Sequence, residues 1–241
     1  MHPLLHTLAG TAMSCLAAGA LAATACRVES PANLVPVIEL YTSEGCSSCP
    51  PADRWLSSLK PAAASGRAVV QAFHVGYWDY IGWADRFASP AHTQRQREVS
   101  ARNGLTGIYT PQLVRNGRDF KDYAQAVAGG EAARARIELQ RLADDAFEAT
   151  VSPAPDVSTW SAYWTVTENG HSSKVKAGEN QGEFLQHDFV VRQYVQAGDY
   201  RGGAKLTLRS VPASAGHPRQ VNLVVFDPRS GRPLQALSLG C

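Results

Sequence analysis

The 241-residue chain has little net charge, few methionines and no long apolar run beyond its first 25 residues. A formal net charge of +2 and the lack of a basic block argue against nucleic-acid binding. No later segment has the roughly 18 consecutive apolar residues that a membrane-spanning helix needs. Both methionines, Met1 and Met13, lie near the amino terminus, so the thioether-rich pattern of copper-binding proteins is absent.

Residues 1–26 contain no Lys, Arg, Asp or Glu. Within them, residues 16–25 form an alanine-rich apolar run that ends in Ala23-Thr24-Ala25, a small-residue pattern typical of secretory cleavage sites. We therefore expect residues 1–25 to be a signal peptide and the protein to be exported to the periplasm or the exterior. The alternative is an uncleaved anchor, but so many Ala and Thr residues make a poor spanning helix.

Export makes the cysteine count informative. Cys15 leaves with the signal, and the four that remain, Cys26, Cys46, Cys49 and Cys241, suggest two disulfides in an oxidising compartment. If Cys46 pairs with Cys49, a Cys26–Cys241 bridge would close almost the whole chain and stabilise it by roughly 5 kcal/mol. The alternative is a lipoprotein with lipidated Cys26, which is disfavoured by alanine three positions earlier, where leucine is usual.

The stretch 39–53 contains the main candidate active site. A strand-like run ends in a short turn, then Cys46-Ser47-Ser48-Cys49 precedes two prolines and a helical pattern. A C-x-x-C between a strand and a helix is typical of thioredoxin-like redox sites. The spacing lets the sulfurs bond, and the helix N-terminus favours a thiolate. We expect Cys46 to be the exposed nucleophile and Cys49 its partner. A purely structural bridge is the alternative, but so short a loop removes little chain entropy.

Apolar runs at 34–42 and 68–74 indicate buried strands, and a helical pattern at 48–59 lies between them. This spacing predicts a β-α-β unit with parallel strands. The other elements predicted before residue 145 are a helix at 89–103, a hairpin at 109–118 and a helix at 131–144. Their order is that of a thioredoxin fold.

After residue 145 we predict seven short strands and no helix, with turn signals such as Asn169-Gly170 between them. This pattern predicts an antiparallel β-sandwich or jelly roll. The expected organisation is therefore a signal peptide at 1–25, an α/β thioredoxin-like domain at 26–145 and an antiparallel, jelly-roll-like β-sandwich domain at 146–241.

Four segments, 45–53, 73–83, 109–112 and 178–182, act together with His187, Val190, Val191 and Arg192 as a recognisable set of motifs. Through them the sequence resembles a bacterial family of exported thioredoxin-like proteins catalogued as a domain of unknown function (number 1223). The resemblance covers nearly the whole mature chain, with one departure at Gly76, where the family is expected to have Asp. It supports the fold more than the function, because the family has no assigned reaction.

Four further residues are candidates for substrate binding. Thr110-Pro111 resembles the cis-proline that faces the C-x-x-C in thioredoxin-like folds, where the backbone of Thr110 would meet an extended substrate; a plain trans proline is the alternative. Tyr77 and Trp78 could line an apolar groove together with Tyr80 and Trp83 of the same loop. The alternative is that these aromatic side chains cover the first domain or form its contact with the β domain.

The sequence allows more than one role for several polar residues. Glu44 could accept a proton from the cysteine pair or be a solvated turn residue. His74 could be a base or a metal ligand, although such histidines are more often packed core groups. The residues Glu179, Asn180, His187 and Arg192 could bind a partner, but turn capping and strand pairing explain them equally well.

The function predicted from these residues is that of an exported thiol–disulfide oxidoreductase that needs no cofactor. Its substrate would be a protein or small-thiol disulfide, and it would need an electron partner. One alternative is copper(I) binding by Cys46, Cys49 and His74, since soft thiolates select that ion. The other is a redox-silent binding module that acts through the β domain.

Overall fold

The computed structural model describes residues 26–241. The predicted signal peptide and Cys15 lie outside the described residues. Within that range no helix has both the length and the apolarity needed to cross a membrane.

The described chain is built mainly of strands, with three α-helices and two short 3₁₀ turns at Asp79–Ile81 and Tyr123–Gln125. In chain order the elements are β1 (Arg27–Glu29), β2 (Val37–Thr42), α1 (Cys49–Ser57), α2 (Lys60–Ala64), β3 (Val69–His74), α3 (Pro90–Arg102), β4 (Gln112–Arg115), β5 (Arg118–Asp119), β6 (Ala135–Ala143), β7 (Ala146–Pro153), β8 (Trp160–Glu168), β9 (His171–Lys174), β10 (Phe184–His187), β11 (Val190–Tyr200), β12 (Ala204–Arg209), β13 (Arg219–Phe226) and β14 (Pro233–Leu239).

One eight-stranded sheet contains strands from both ends of the chain, in the order β14-β13-β8-β11-β3-β2-β4-β5. β2 and β3 are parallel, and Val190 of β11 pairs with Ala72 of β3. On its other side β11 pairs antiparallel with β8. A second sheet, β1-β6-β7-β12, lies apart from it, and β9 and β10 form a separate hairpin.

This sheet shows that the predicted fold class is wrong. We expected an α/β thioredoxin-like domain followed by a separate antiparallel sandwich. Instead the structure is mostly strand, and β8, β11, β13 and β14 continue the same sheet as β2 and β3. The physical reason is that β3 buries its free edge against β11, so the two predicted units share backbone hydrogen bonds.

The helix predicted at 131–144 is also wrong, because strand β6 occupies this segment. Ala135, Ile137 and Leu139 are buried and alternate with more exposed Arg136 and a half-buried residue at 138. This is the two-residue period of a strand, whereas the predicted helical face followed a three-to-four-residue spacing. β6 forms a hairpin with β7 and also pairs with β1, which provides hydrogen-bond partners along both edges.

The predictions around the cysteine pair are confirmed at the level of secondary structure, since β2, α1, β3 and α3 form where expected. The N-cap of α1 is Ser48, and prolines occupy the first turn. α3 begins at Ser89-Pro90, where the Ser89 hydroxyl accepts a hydrogen bond from the Ala91 N–H.

Of the four buried clusters among the described residues, two position the cysteine pair within these layers. The larger lies between the four-stranded sheet and the β8, β13 and β14 part of the long sheet, and includes fully buried Trp160 and Trp164. The other packs Leu56 of α1 on Ile38 and Leu40 of β2. As a result the carboxyl ends of the parallel strands β2 and β3 meet beside the start of α1.

Candidate active site

Cys46 and Cys49 lie in the turn that leads from β2 into α1. A hydrogen bond from Cys46 N to Ser43 O, 3.2 Å, shapes this turn, and another joins Cys49 N to Cys46 O at 3.1 Å. The two sulfurs form a disulfide, with 5.4 Å between the Cα atoms. Ser48 Oγ lies 3.4 Å from Cys46 Sγ and could donate a hydrogen bond to a thiolate there.

The expectation of an exposed Cys46 is wrong for this oxidised structure. Cys46 is 1% exposed and Cys49 is fully buried, although Ser47 and Ser48 between them are exposed. Two covering loops pack on the turn that carries the sulfurs, one at residues 75–87 and one at residues 175–183. Ser47 and Ser48 are therefore the part of the motif that solvent reaches.

The first covering loop packs tightly on the turn. A Cβ added to Gly45 would stand 2.8 Å from Trp78 Cβ, so glycine is needed for this approach. Trp78 Nε1 donates to Thr110 Oγ1 at 2.7 Å, and the Thr110-Pro111 peptide bond is cis. The tryptophan thus connects the candidate substrate-binding residue Thr110 with the cysteine turn.

The second covering loop, between β9 and β10, is attached to the same turn by side chains. Asn180 Nδ2 donates to Glu44 O at 2.9 Å and to Cys46 O at 3.0 Å. Glu179 Oε2 accepts from the backbone N–H of Ser47 at 2.9 Å. Both residues were sequence candidates without a defined role, and both directly contact the C-x-x-C turn.

Beneath the disulfide lies a buried cluster of ionisable groups. Glu44 and His74, both 1% exposed, belong to it, so Glu44 is not a solvated turn residue. His74 Nδ1 lies 2.7 Å from Asp85 Oδ2, which also accepts from Glu44 N at 3.0 Å. Trp83 Nε1 donates to Glu44 Oε2 at 2.7 Å.

His187 completes this cluster from the end of β10. Its Nε2 lies 3.2 Å from Glu44 Oε1 and its Nδ1 lies 4.0 Å from Asp53 Oδ2. Neither nitrogen is well aligned for a hydrogen bond, so we treat both contacts as electrostatic. The chain turns at Asp188-Phe189 between β10 and β11, and this turn places His187 at the end of β10, the strand that contacts α1.

Burial and the neighbouring groups shift the pKa values of this cluster in opposite directions. Burial alone would raise the pKa of Glu44, but the contacts with His187, Ser173 and Trp83 together outweigh it, so the pKa is lowered. Burial would lower the pKa of His74, yet the Asp85 carboxylate raises it overall, and the pKa of Asp85 is lowered in return. The pair is therefore ionic.

For the pKa of Asp53, burial outweighs the neighbouring charges. Burial raises its pKa, and the nearby imidazoles of His187 and His74 only partly oppose this. Asp53 follows Cys49 by four residues in α1, so the two side chains lie on one face of the helix, and both are buried. A carboxylate with a raised pKa beside a thiol is suited to accept its proton.

The sequence did not indicate roles for Asp53 or Asp85, and it suggested for Trp83 only a place in an aromatic groove or packing contact. Asp53 could have been found from its four-residue spacing to Cys49 on a predicted helix. Asp85 and Trp83 lie in an irregular loop, where no period predicts which side chains turn inward. Arg192, a sequence candidate, lies outside the site, 3.8 Å from Glu168.

The other two cysteines among residues 26–241 are joined as well. Cys26 and Cys241 form a disulfide with 6.3 Å between their Cα atoms. Two bridges in the described part of the chain indicate an oxidising environment. Among residues 26–241 no group of three His, Cys, Asp or Glu side chains is arranged to hold a metal ion.

Residues 37–226 match the model of a family described as a protein of unknown function, DUF1223. The chain belongs to this family. The family resemblance inferred from the C-x-x-C segment and the other motifs is thereby confirmed, while its exported and thioredoxin-like aspects are not tested by the match. No curated protein matches the chain.

Two solved structures are similar to this member of the family. Protein AGR_C_4864 from Agrobacterium tumefaciens is 26% identical, with a TM-score of 0.65, and the match covers 86% of this chain and 94% of that one. HBP35 of Porphyromonas gingivalis is 15% identical, with a TM-score of 0.55, over 87% of this chain and 76% of that one. The second likeness concerns the fold alone.

Proposed function

We propose that this family member is an exported enzyme of thiol–disulfide exchange, with Cys46 and Cys49 as its redox pair. The observation that supports this most directly is the disulfide between them, which lies at the start of α1 above a buried cluster of ionisable groups. A bridge over two intervening residues stabilises a fold very little, so stability alone does not explain this arrangement.

In the reduced protein, the Cys46 thiolate attacks one sulfur of a substrate disulfide. The substrate S–S bond breaks, a mixed disulfide forms, and the released thiolate takes up a proton. The Cys49 thiol then loses its proton and attacks Cys46 Sγ, which releases the second substrate thiol and restores the Cys46–Cys49 bridge. Two electrons pass to the substrate, and a dithiol electron partner would reduce the bridge again.

The surrounding residues have distinct roles in this scheme. The N-terminus of α1 and the Ser48 hydroxyl stabilise the Cys46 thiolate. Asp53, on the buried face of the helix with Cys49, accepts the proton from the Cys49 thiol. Glu44 and His187 fix the electrostatic surroundings of Asp53 and of the turn. Thr110 and the aromatic side chains of Tyr77 and Trp78 would border the bound substrate.

The test is the reduction potential of the pair in the protein spanning residues 26–241, equilibrated with glutathione buffers and assigned by alkylation and peptide mass. A reversible potential between roughly −270 and −120 mV, the range of known exchange proteins, would support the proposal. A pair that stays oxidised well below about −300 mV would be structural, and the enzyme proposal would be abandoned.

Two single variants provide the matched control. Cys49→Ser keeps the attacking sulfur but cannot resolve the mixed disulfide, so it should accumulate a substrate adduct on Cys46. Cys46→Ser should accumulate much less. Equal trapping by both variants, or by neither, would contradict the assigned roles of the two cysteines.

A further inference from the structure

The loop between β9 and β10 places one carboxylate directly over the redox motif. Glu179 accepts a hydrogen bond from the backbone of Ser47, the first residue between the cysteines, although 132 positions separate them in sequence. Glu179 and Ser47 are both exposed, so this charge faces the solvent from which a substrate arrives. The other carboxylates near the motif, on Glu44, Asp53 and Asp85, are buried beneath it.

The position of this carboxylate is fixed. The next residue, Asn180, is buried and donates to Glu44 O and Cys46 O, which attaches the loop to the turn. Hydrogen bonds from Ser47 hold the pKa of Glu179 below its ordinary value, so the side chain is anionic at neutral pH. The first turn of α1 has no acidic residue of its own. Glu179 is thus a defined negative charge at the entrance to Cys46.

We propose that Glu179 selects substrates by charge, so that the site reacts with disulfides bearing cationic or neutral groups next to the S–S bond and disfavours anionic ones. This inference rests on the proposed exchange function and specifies its substrate class. A protein disulfide flanked by basic or uncharged residues fits this entrance. A disulfide with several carboxylates, such as that of glutathione, is repelled.

Two small disulfides of opposite charge test the idea. The protein is reduced at both active-site cysteines, the reductant is removed, and its second-order rates with cystamine and with glutathione disulfide are measured. In each reaction the protein dithiol becomes a disulfide and one substrate disulfide becomes two thiols. The same two rates are also measured for a free uncharged thiol, and the protein's rates are divided by them to correct for the intrinsic reactivity of each disulfide.

The variants are Glu179→Gln, which keeps an acceptor for the Ser47 N–H but removes the charge, and Glu183→Gln as the control. Glu183 is an exposed acid of the same loop, and among residues 26–241 its side chain forms no hydrogen bond or ion pair with the cysteine turn. Both substitutions are on the surface, and we expect both variants to fold.

The ratio of the cystamine rate to the glutathione disulfide rate should be higher for the unmodified protein than for the free thiol. Glu179→Gln should lower this preference by about tenfold at low ionic strength, as expected for one unit charge a few ångström away acting with opposite sign on the two substrates. The difference should largely vanish near 1 M salt. Glu183→Gln should leave the preference unchanged.

The inference is overturned if Glu179→Gln keeps the original preference, or if Glu183→Gln alters it equally, since the whole loop and not Glu179 would then be responsible. Failure of the proposed function gives a different result, because a reduced protein without exchange activity would react with neither disulfide in any variant.

Discussion

Replacing Arg95 by methionine should destabilise the protein by about 3–5 kcal/mol at pH 7, because it leaves a buried carboxylate without its cation. Glu39 is 2% exposed in the middle of β2. Arg95 on α3 binds it through two nitrogens, with Nη2 at 2.5 Å from Oε1 and Nε at 3.2 Å from Oε2. The hydroxyls of Tyr41 and Tyr163 also donate to the carboxylate, at 2.7 and 2.8 Å.

The expected loss of unfolding free energy follows from these contacts. The substitution removes two of the four donors and, among the described residues, the only positive charge in contact with Glu39. Hydrogen bonds to charged groups are worth about 1.5–3 kcal/mol each, and breaking a buried ion pair costs about 3–5 kcal/mol. The tyrosine hydroxyls still solvate the carboxylate, which keeps the expected loss within this range.

The dependence on pH has a definite sign. In the wild type, burial would raise the pKa of Glu39, but Arg95 outweighs it and the pKa is lowered. The resulting stability is fully present above the unfolded pKa, about 4.3, and is lost as pH falls through the lower folded pKa. In Arg95→Met burial dominates and the folded pKa rises. The deficit of the variant should therefore shrink on acidification, as Glu39 becomes protonated.

The assay is denaturant unfolding of the oxidised protein at pH 7 and near pH 4.5. Arg97→Met is the matched control, because Arg97 lies on the same helix but is exposed, and we expect a change within about 0.5 kcal/mol. Adding Glu39→Gln to Arg95→Met should recover part of the loss. A loss below about 1 kcal/mol at pH 7, or a deficit that grows at low pH, would refute the reasoning.

Three further variants test other contacts. Asn180→Ala leaves the carbonyls of Glu44 and Cys46 without this donor, so dithiothreitol should reduce the buried bridge several-fold faster; an unchanged rate would mean that the loop does not limit access. Asp53→Asn should slow the step in which Cys49 attacks the mixed disulfide and releases the second substrate thiol, as measured by single-turnover kinetics. The variant should also lack the decrease in unfolding free energy that the wild type shows as pH rises through the raised pKa of Asp53, as measured by unfolding at several pH values. Cys26→Ser should lower the free energy of unfolding by up to about 5 kcal/mol, with Lys205→Ser as a surface control.

Local patterns in the sequence were sufficient for the elements that position the cysteine pair. The apolar run before Thr42, the Ser89-Pro90 start of α3 and the two prolines after Cys49 each specify structure through nearby residues. Strand β6 also has a local signal, because apolar and charged residues alternate at 135–139. The helix prediction instead followed the helical spacing of alanine and leucine in the same segment. That error arose because alanine-rich segments satisfy both periods.

The fold class could not be predicted in this way, because it depends on which edges meet in space. Val190 pairs with Ala72 across more than a hundred residues, and no periodicity in either strand specifies that neighbour. The buried cluster shows the same limit. Glu44 and His74 were identified because they follow or end predicted strands, whereas Asp85 reaches His74 from an irregular loop.

The Cys26–Cys241 bridge also determines how the molecule responds to mechanical force. The two cysteines are 215 positions apart in sequence, yet their Cα atoms lie 6.3 Å apart and are covalently joined. A pulling force applied at these two positions is carried by the S–S bond and not by the hydrogen bonds of the sheets. The oxidised chain would therefore not lengthen under tension, and a reductant would make it extensible.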